Sequence, residues 1–209
     1  MKGNFYTLGY AGILGSICAL LLTAAASVTA PYREANSDAE KKRNILNVLQ
    51  VPYPVNASSL EMVKIFEDNI RQKKYGDIEL YEYVPEKDSN TPESVAIQFE
   101  GPGLWGPIKG FLALEPDFKT IRGITFYEQE ETPGLGGEIG TSAFRDRFKG
   151  KEIVGASGQP GIIIKGRNGN NAINEVDAIS GATLTCDKVQ AMLNVTIDKI
   201  IKEIKNNGR

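Results

Sequence analysis

Between Lys2 and Arg33 the chain carries no charged side chain, a run of 30 residues. A helix needs about 20 apolar residues to cross ~30 Å of hydrocarbon, so this run is long enough to span a bilayer. A cleaved secretory signal has a shorter apolar region, roughly 7–15 residues, behind a distinctly basic start. Here a single lysine precedes the run, and the late small-residue site after Ala30 is blocked by Pro31. A retained anchor over residues 1–35 fits these features better, with cleavage near Ala24-Ala25-Ala26 as the rival. The flanking bases, Lys2 on one side and Arg33, Lys41, Lys42 and Arg43 on the other, taken alone favour an N-terminus outside the cell.

The rest of the chain has the length of one globular domain. Lys and Arg number 24 against 26 Asp and Glu, a net charge of −2, which lacks the basic footprint of a nucleic-acid binder. Histidine is absent, which excludes Ser-His-Asp and Cys-His nucleophile systems, His-ligated zinc and imidazole proton shuttles. Two cysteines, Cys18 and Cys186, are too few for an iron–sulfur cluster or a four-cysteine zinc site, so no metal centre is expected. Any redox or group-transfer chemistry then falls to a bound organic cofactor.

Apolar periodicity predicts a helix over Ser37–Val51, stopped by Pro52 and Pro54. A second helix is predicted from Ser58 or Ser59 to Tyr75, on the spacing of Val63, Phe66 and Ile70, with Gly76 closing it. Alternation predicts strands at Ile78–Val84, Ser94–Glu100, Lys109–Leu114 and Thr120–Glu128, with a polar loop over Pro85–Glu93. Shorter strands follow at Gly161–Lys165 and Glu175–Ile179. A closing amphipathic helix is marked by Val189, Met192, Leu193, Ile197, Ile200, Ile201 and Ile204. Strands in a block with helices at both ends indicate an α+β domain, a β-sheet flanked by helices. We divide it at 36–92, a helical and strand connecting part, and 93–209, where the motifs lie.

Three glycine-bearing motifs carry the chemistry. Gly101-Pro102-Gly103-Leu104-Trp105-Gly106 follows a strand and matches G-x-G-x-x-G, but strand rather than helix follows it, against a dinucleotide site. The only tryptophan, Trp105, is either tucked into the core or exposed for stacking on a planar ligand. Glu131-Thr132-Pro133-Gly134-Leu135-Gly136 reads as a Pro-Gly type II turn, either a plain connection or a cradle for a polar heterocycle. Asp177-Ala178-Ile179-Ser180-Gly181-Ala182-Thr183-Leu184-Thr185 leads into the last helix. Its hydroxyls serve either as caps or as contacts to a phosphate at the helix N-terminus.

Together these motifs resemble the FMN-binding proteins that carry flavin covalently within membrane redox complexes. The family signature is an acid followed by Ser/Thr-Gly-Ala-Thr, here Asp177 with Ser180, Gly181, Ala182 and Thr183. The family's Glu-Thr-Pro-Gly-Leu-Gly loop stands at Glu131–Gly136. The resemblance covers the anchor and roughly Val95 to the end. Within the family, Gly103-Leu104-Trp105 and Phe126-Tyr127-Glu128-Gln129 are similar to the C-type branch, from sodium-translocating NADH:quinone reductases. The sister branch is the G-type protein of the Rnf ferredoxin:NAD oxidoreductases. It stays as the alternative because the chain is shorter than many C-type sequences.

The resemblance implies one FMN, held by a phosphoester to Thr183 rather than Thr185. It also implies Glu131, Thr132 and Leu135 beside the flavin ring, Trp105 near it, and Lys165 tuning its potential by charge; a plain surface lysine at the end of a strand is the rival for Lys165. It further implies an electron-relay subunit of a multi-subunit membrane redox complex, matured by a flavin transferase. Such a protein would be single-pass in the bacterial inner membrane, with its flavin domain extracytoplasmic. The family's orientation opposes the charge count and outweighs it. A membrane-anchored binding or scaffold domain without electron transfer is the alternative from another class.

Overall fold

The structure, a computed structural model, describes residues 2–54, 56–76, 78–85, 91–166 and 172–206. It divides into two compact units, Met1–Glu40 and Lys41–Arg209. The first helix, α1 (Lys2–Val48), contributes to both.

In the first unit the helix leaves Phe5, Leu8, Ile13, Ile17, Leu20, Leu21 and Leu22 exposed. It is the one helix among the described residues long and apolar enough to cross a membrane. Four of its hydroxyls are satisfied within the helix: Ser16, Thr23, Ser27 and Thr29 each donate to the carbonyl four residues earlier, at 2.8–2.9 Å. Such internal pairing is what a polar group on an apolar helix needs where no water is available.

The second unit is built on a five-stranded antiparallel meander, β1 (Ile70–Tyr75), β2 (Ile78–Tyr83), β3 (Ser94–Pro102), β4 (Pro107–Leu114) and β5 (Ile121–Glu128), in that spatial order. Its register separates two cores. Leu80, Ile97, Leu112 and Ile124 stand opposite one another on one face, and Tyr81, Ala96 and Ala113 on the other. The first face is covered by α4 (Thr183–Asn206) through Val189, Met192, Leu193, Ile197 and Ile200, with Phe144 and Phe148 beside them. The second face is covered by Ile45, Leu46 and Leu49 and by Met62 and Phe66 of α2 (Ser59–Asn69). A sheet covered on both faces strips solvent from alternate residues in both directions, which is why β2 and the first half of β3 are buried almost continuously, Glu82 included.

A short parallel pair, β6 (Ile163–Lys165) and β7 (Glu175–Asp177), lies against α4. Gln190 Oε1 accepts from Ile164 N at 2.6 Å, and the Asn194 amide bonds both backbone groups of Ile162. These two polar residues of α4 therefore hold the lysine-bearing strand in place. Between β5 and β6 lie the one-turn α3 (Ser142–Arg145) and 3-10 turns at Gly136–Gly140 and Asp146–Phe148.

One predicted helix is corrected. Ser58 does start α2, with a reciprocal capping box to Glu61, but the helix ends at Asn69 rather than Tyr75. Ile70–Tyr75 is instead β1, pairing along its whole length with β2 and placing Lys73 2.8 Å from Glu82. The Val63-Phe66-Ile70 spacing suits a helix, but an open sheet edge supplies backbone partners and a core position for Ile70, and those contacts outweigh local periodicity. Gly76 consequently sits in the β1–β2 turn and caps no helix. α1 stops at Val48, four residues before Pro52, through a turn at Gln50. Residues 86–90 of the predicted polar loop lie outside the described residues.

Candidate functional site

The functional candidates converge on the start of α4. Arg147, in the 3-10 turn after α3, donates from its guanidinium to the carbonyls of Asp177 and Ala178 at 2.9 and 3.0 Å. It also lies 5.5 Å over the Phe144 ring, so the chain leaving β7 is pinned to the aromatic core. Gly181 then takes φ 79°, a left-handed conformation that favours glycine, and its backbone lies against Leu135. The position before the helix is Ala182, whose side chain offers no oxygen to the first-turn amides. No hydroxyl side chain therefore stands at the N-cap position itself.

Two clefts meet at this point. A smaller one, about 250 Å³, is lined by Leu104, Glu131, Thr132, Leu135, Gly136 and the segment Gly181–Thr185. A larger and more polar one, about 720 Å³, is lined by Arg147, Lys165, Asp177, Ser180, Gly181, Thr183 and Asp187 among others. Gly181 and Thr183 belong to both.

The two threonines of the motif have opposite environments. Thr183, the first residue of α4, is exposed, whereas Thr185 is 1% exposed and its hydroxyl donates to Glu131 Oε2 at 2.6 Å. Glu131, itself buried, accepts on Oε1 from the amides of Leu104 at 2.7 Å and Trp105 at 3.4 Å. Both carboxylate oxygens are thus engaged by the protein. The Thr132–Leu135 turn forms as its Pro-Gly pair predicts, with Leu135 N bonded to Thr132 O and Gly134 at φ 76°.

Of the sequence candidates, Glu131, Thr132, Leu135, Gly181, Ala182 and Thr183 gather around the small cleft, and Lys165, Asp177 and Ser180 around the large one. Trp105 lines neither. It stands on the adjacent turn beside Leu104, and at 73% exposure it is not a core residue. Lys165 is joined to Glu175 at 2.6 Å, and this bond, with help from the Ala172 amide, holds the Glu175 carboxyl below its usual range. Burial pushes the Cys186 thiol up, and its sulfur accepts from Ile179 N at 3.4 Å, so it serves the turn as a packed thiol. Sequence reasoning does not single out Arg147: no local pattern marks an arginine 30 residues from the carbonyls it binds. Leu104 and Gly136 enter it only as parts of motifs, and Leu184 carries no signal beyond being apolar at a helix start.

Residues 103–198 match the FMN-binding domain family. The solved structure of Shewanella oneidensis NqrC superposes with a TM-score of 0.67 at 24% identity, over 82% of this chain and 99% of that one, a likeness of fold. The corresponding protein of the Na(+)-translocating NADH-quinone reductase from Parabacteroides distasonis gives 0.66 at 28% identity, over 83% and 95%. Residues 103–198 thus match an FMN-binding domain within an α+β unit that an apolar helix precedes in the chain.

Among curated proteins the chain resembles the C-type component, NqrC, of the Na(+)-translocating NADH-quinone reductase. It is 28% identical to the Pasteurella multocida protein over 85% of this chain and 83% of that one. With the Yersinia pestis protein it shares 43% identity over 54% of this chain, a match spanning 42% of the relative.

Proposed function

We propose that this chain is an electron-relay subunit of a membrane ion-translocating NADH:quinone oxidoreductase, carrying one FMN through a phosphoester to Thr183. The observation that carries the reading is the contrast between the two motif threonines. Thr183 offers an exposed hydroxyl where both clefts meet, while the Thr185 hydroxyl is buried and already donates to a carboxylate. FMN supplies one- and two-electron chemistry that no side chain of this composition offers.

The residues present fit such a group. Leu104, Leu135 and Leu184 give the small cleft apolar sides for a flat ring, Thr132 adds a hydroxyl, and exposed Trp105 is available for stacking. The large cleft, with Arg147 and Lys165 on its wall and α4 starting at its floor, suits the phosphate side of the molecule. The motif Asp177 and Ser180–Thr183 is the segment presented to a flavin transferase. The apolar helix anchors the domain in the bacterial inner membrane on the extracytoplasmic side, and the other members of the complex supply NADH oxidation, ion pathways and quinone reduction. The relatives from Na(+)-translocating NADH-quinone reductases support this branch over the Rnf alternative.

The test is co-expression with a flavin transferase, followed by in-gel flavin fluorescence and mass spectrometry of tryptic peptides. Flavin is expected on Thr183 and is lost in Thr183→Ala. Flavin found on Thr185, or none on the wild-type chain, rejects the assignment. Carbonate extraction tests the anchor: the protein is expected to stay with the membrane, and N-terminal sequencing that begins near Ser27 or Pro31 replaces the anchor with a cleaved signal.

A further inference from the structure

Three segments distant in sequence meet at one buried carboxylate. Glu131 ties the Leu104–Trp105 turn, through two backbone amides, to the Thr185 hydroxyl of α4. The packing leaves no slack around it. A Cβ at Gly136 would lie 2.4 Å from Thr185 Oγ1 and 2.8 Å from Glu131 Oε2, and one at Gly103 would lie 2.5 Å from Glu131 Oε1. Both glycines are thus required by close approach to this contact. On a helix, residues two apart point roughly 200° away from each other. Locking Thr185 inward therefore turns Thr183 outward.

Building on the FMN reading above, we propose that the Glu131–Thr185 hydrogen bond is a latch that selects Thr183 for modification and fixes the Leu104–Trp105 turn at the edge of the small cleft. Glu131 and Thr185 act as positioning residues. The carboxylate removes the Thr185 hydroxyl from competition by accepting its hydrogen bond. Through the amides of Leu104 and Trp105 it also fixes the turn that bears the indole. A charge-assisted O–H···O⁻ bond between two buried residues suits this task, because breaking it leaves a buried acceptor without its donor.

Trp105 is the only tryptophan, so its fluorescence anisotropy reports on the turn even in flavin-free protein. The full chain is made with and without flavin transferase as wild type, Thr185→Ser, Thr185→Val and Gly136→Ala. Thr185→Ser keeps the donor and is expected to match wild type in flavin loading and anisotropy. Thr185→Val keeps the shape without the hydroxyl, and Gly136→Ala wedges the contact apart. Both are expected to lower Trp105 anisotropy and to reduce flavin on Thr183 about ten-fold, the factor that 1.4 kcal/mol produces. If Thr185→Val does not fold, Glu131→Gln carries the same test, since an amide cannot accept from both sides and should fall between wild type and Gly136→Ala. Wild-type anisotropy and loading in Thr185→Val or Glu131→Gln would overturn the latch. A wild-type chain that takes no flavin overturns the FMN reading instead, while the anisotropy of the flavin-free variants still decides the latch.

Discussion

The two walls that meet at Thr183 are built on different principles. On the Glu131 side, contacts are buried and bonded: a carboxylate with three donors, flanked by glycines that admit no added carbon. On the Lys165 side, the wall is polar and half open, with an ion pair between Lys165 and Glu175 and a guanidinium bridging to backbone carbonyls. Stability and shape belong to the first wall, because a buried polar group is costly once its partner is lost. Charge belongs to the second, where solvent screens the Lys165–Glu175 pair and its loss costs little fold.

That contrast is broken most directly by Glu131→Ala. It orphans two amides and a hydroxyl in a buried site, and a loss of about 3 kcal/mol is expected, measured as a fall in the urea midpoint. Arg147→Ala comes next, at about 2 kcal/mol, since it removes charge-assisted bonds to the Asp177 and Ala178 carbonyls and the contact with Phe144. Arg147→Lys is expected to restore only part of this, because a lysine cannot reproduce the planar fork. A midpoint shift larger for Arg147→Ala than for Glu131→Ala would reverse the ranking of the walls.

Lys165→Met is expected to change stability least, and its effect should depend on pH. In the folded chain the Lys165 bond holds the Glu175 carboxyl below its unfolded value. A lowered native value contributes stability above the unfolded glutamate value, pH ~4.3, and loses it as pH falls through the native value. Wild type and variant should therefore differ in thermal midpoint at neutral pH and converge in strong acid. A difference that persists unchanged below pH ~3 would show that the methionine acts through packing, not charge. With flavin loaded, the same variant sharpens the comparison: a shift in flavin midpoint potential would give the open wall an electronic role despite its ion pair, and an unchanged potential would confine Lys165 to the surface.

Elements coded by local period were legible. The apolar run, the start of α2 at Ser58, the Pro133-Gly134 turn and the amphipathic α4 each announce themselves within a few residues. The residue types at Asp177–Thr183 and Glu131–Gly136 suggest a phosphate-bearing planar ligand, and only the resemblance of their motifs to a known family implies a flavin. The failure at Ile70–Tyr75 is instructive, because its helical spacing is genuine and only the neighbouring strand makes extension the better choice.

What the sequence by itself determined is the inventory: an apolar helix, an alternating block of strands, a hydroxyl-rich entry to the last helix, and no imidazole anywhere in the chain. What only the tertiary structure decided is which groups remain available. Two threonines two positions apart are chemically alike on paper, and a carboxylate 54 residues upstream of one of them makes them different. Lys165 reads as a free cation until β7 places Glu175 against it. Local pattern encodes backbone period and burial, because neighbours in sequence share those directly. Hydrogen-bond partners 27 to 54 residues apart are set by the sheet register and by how α4 docks, and no local window contains them.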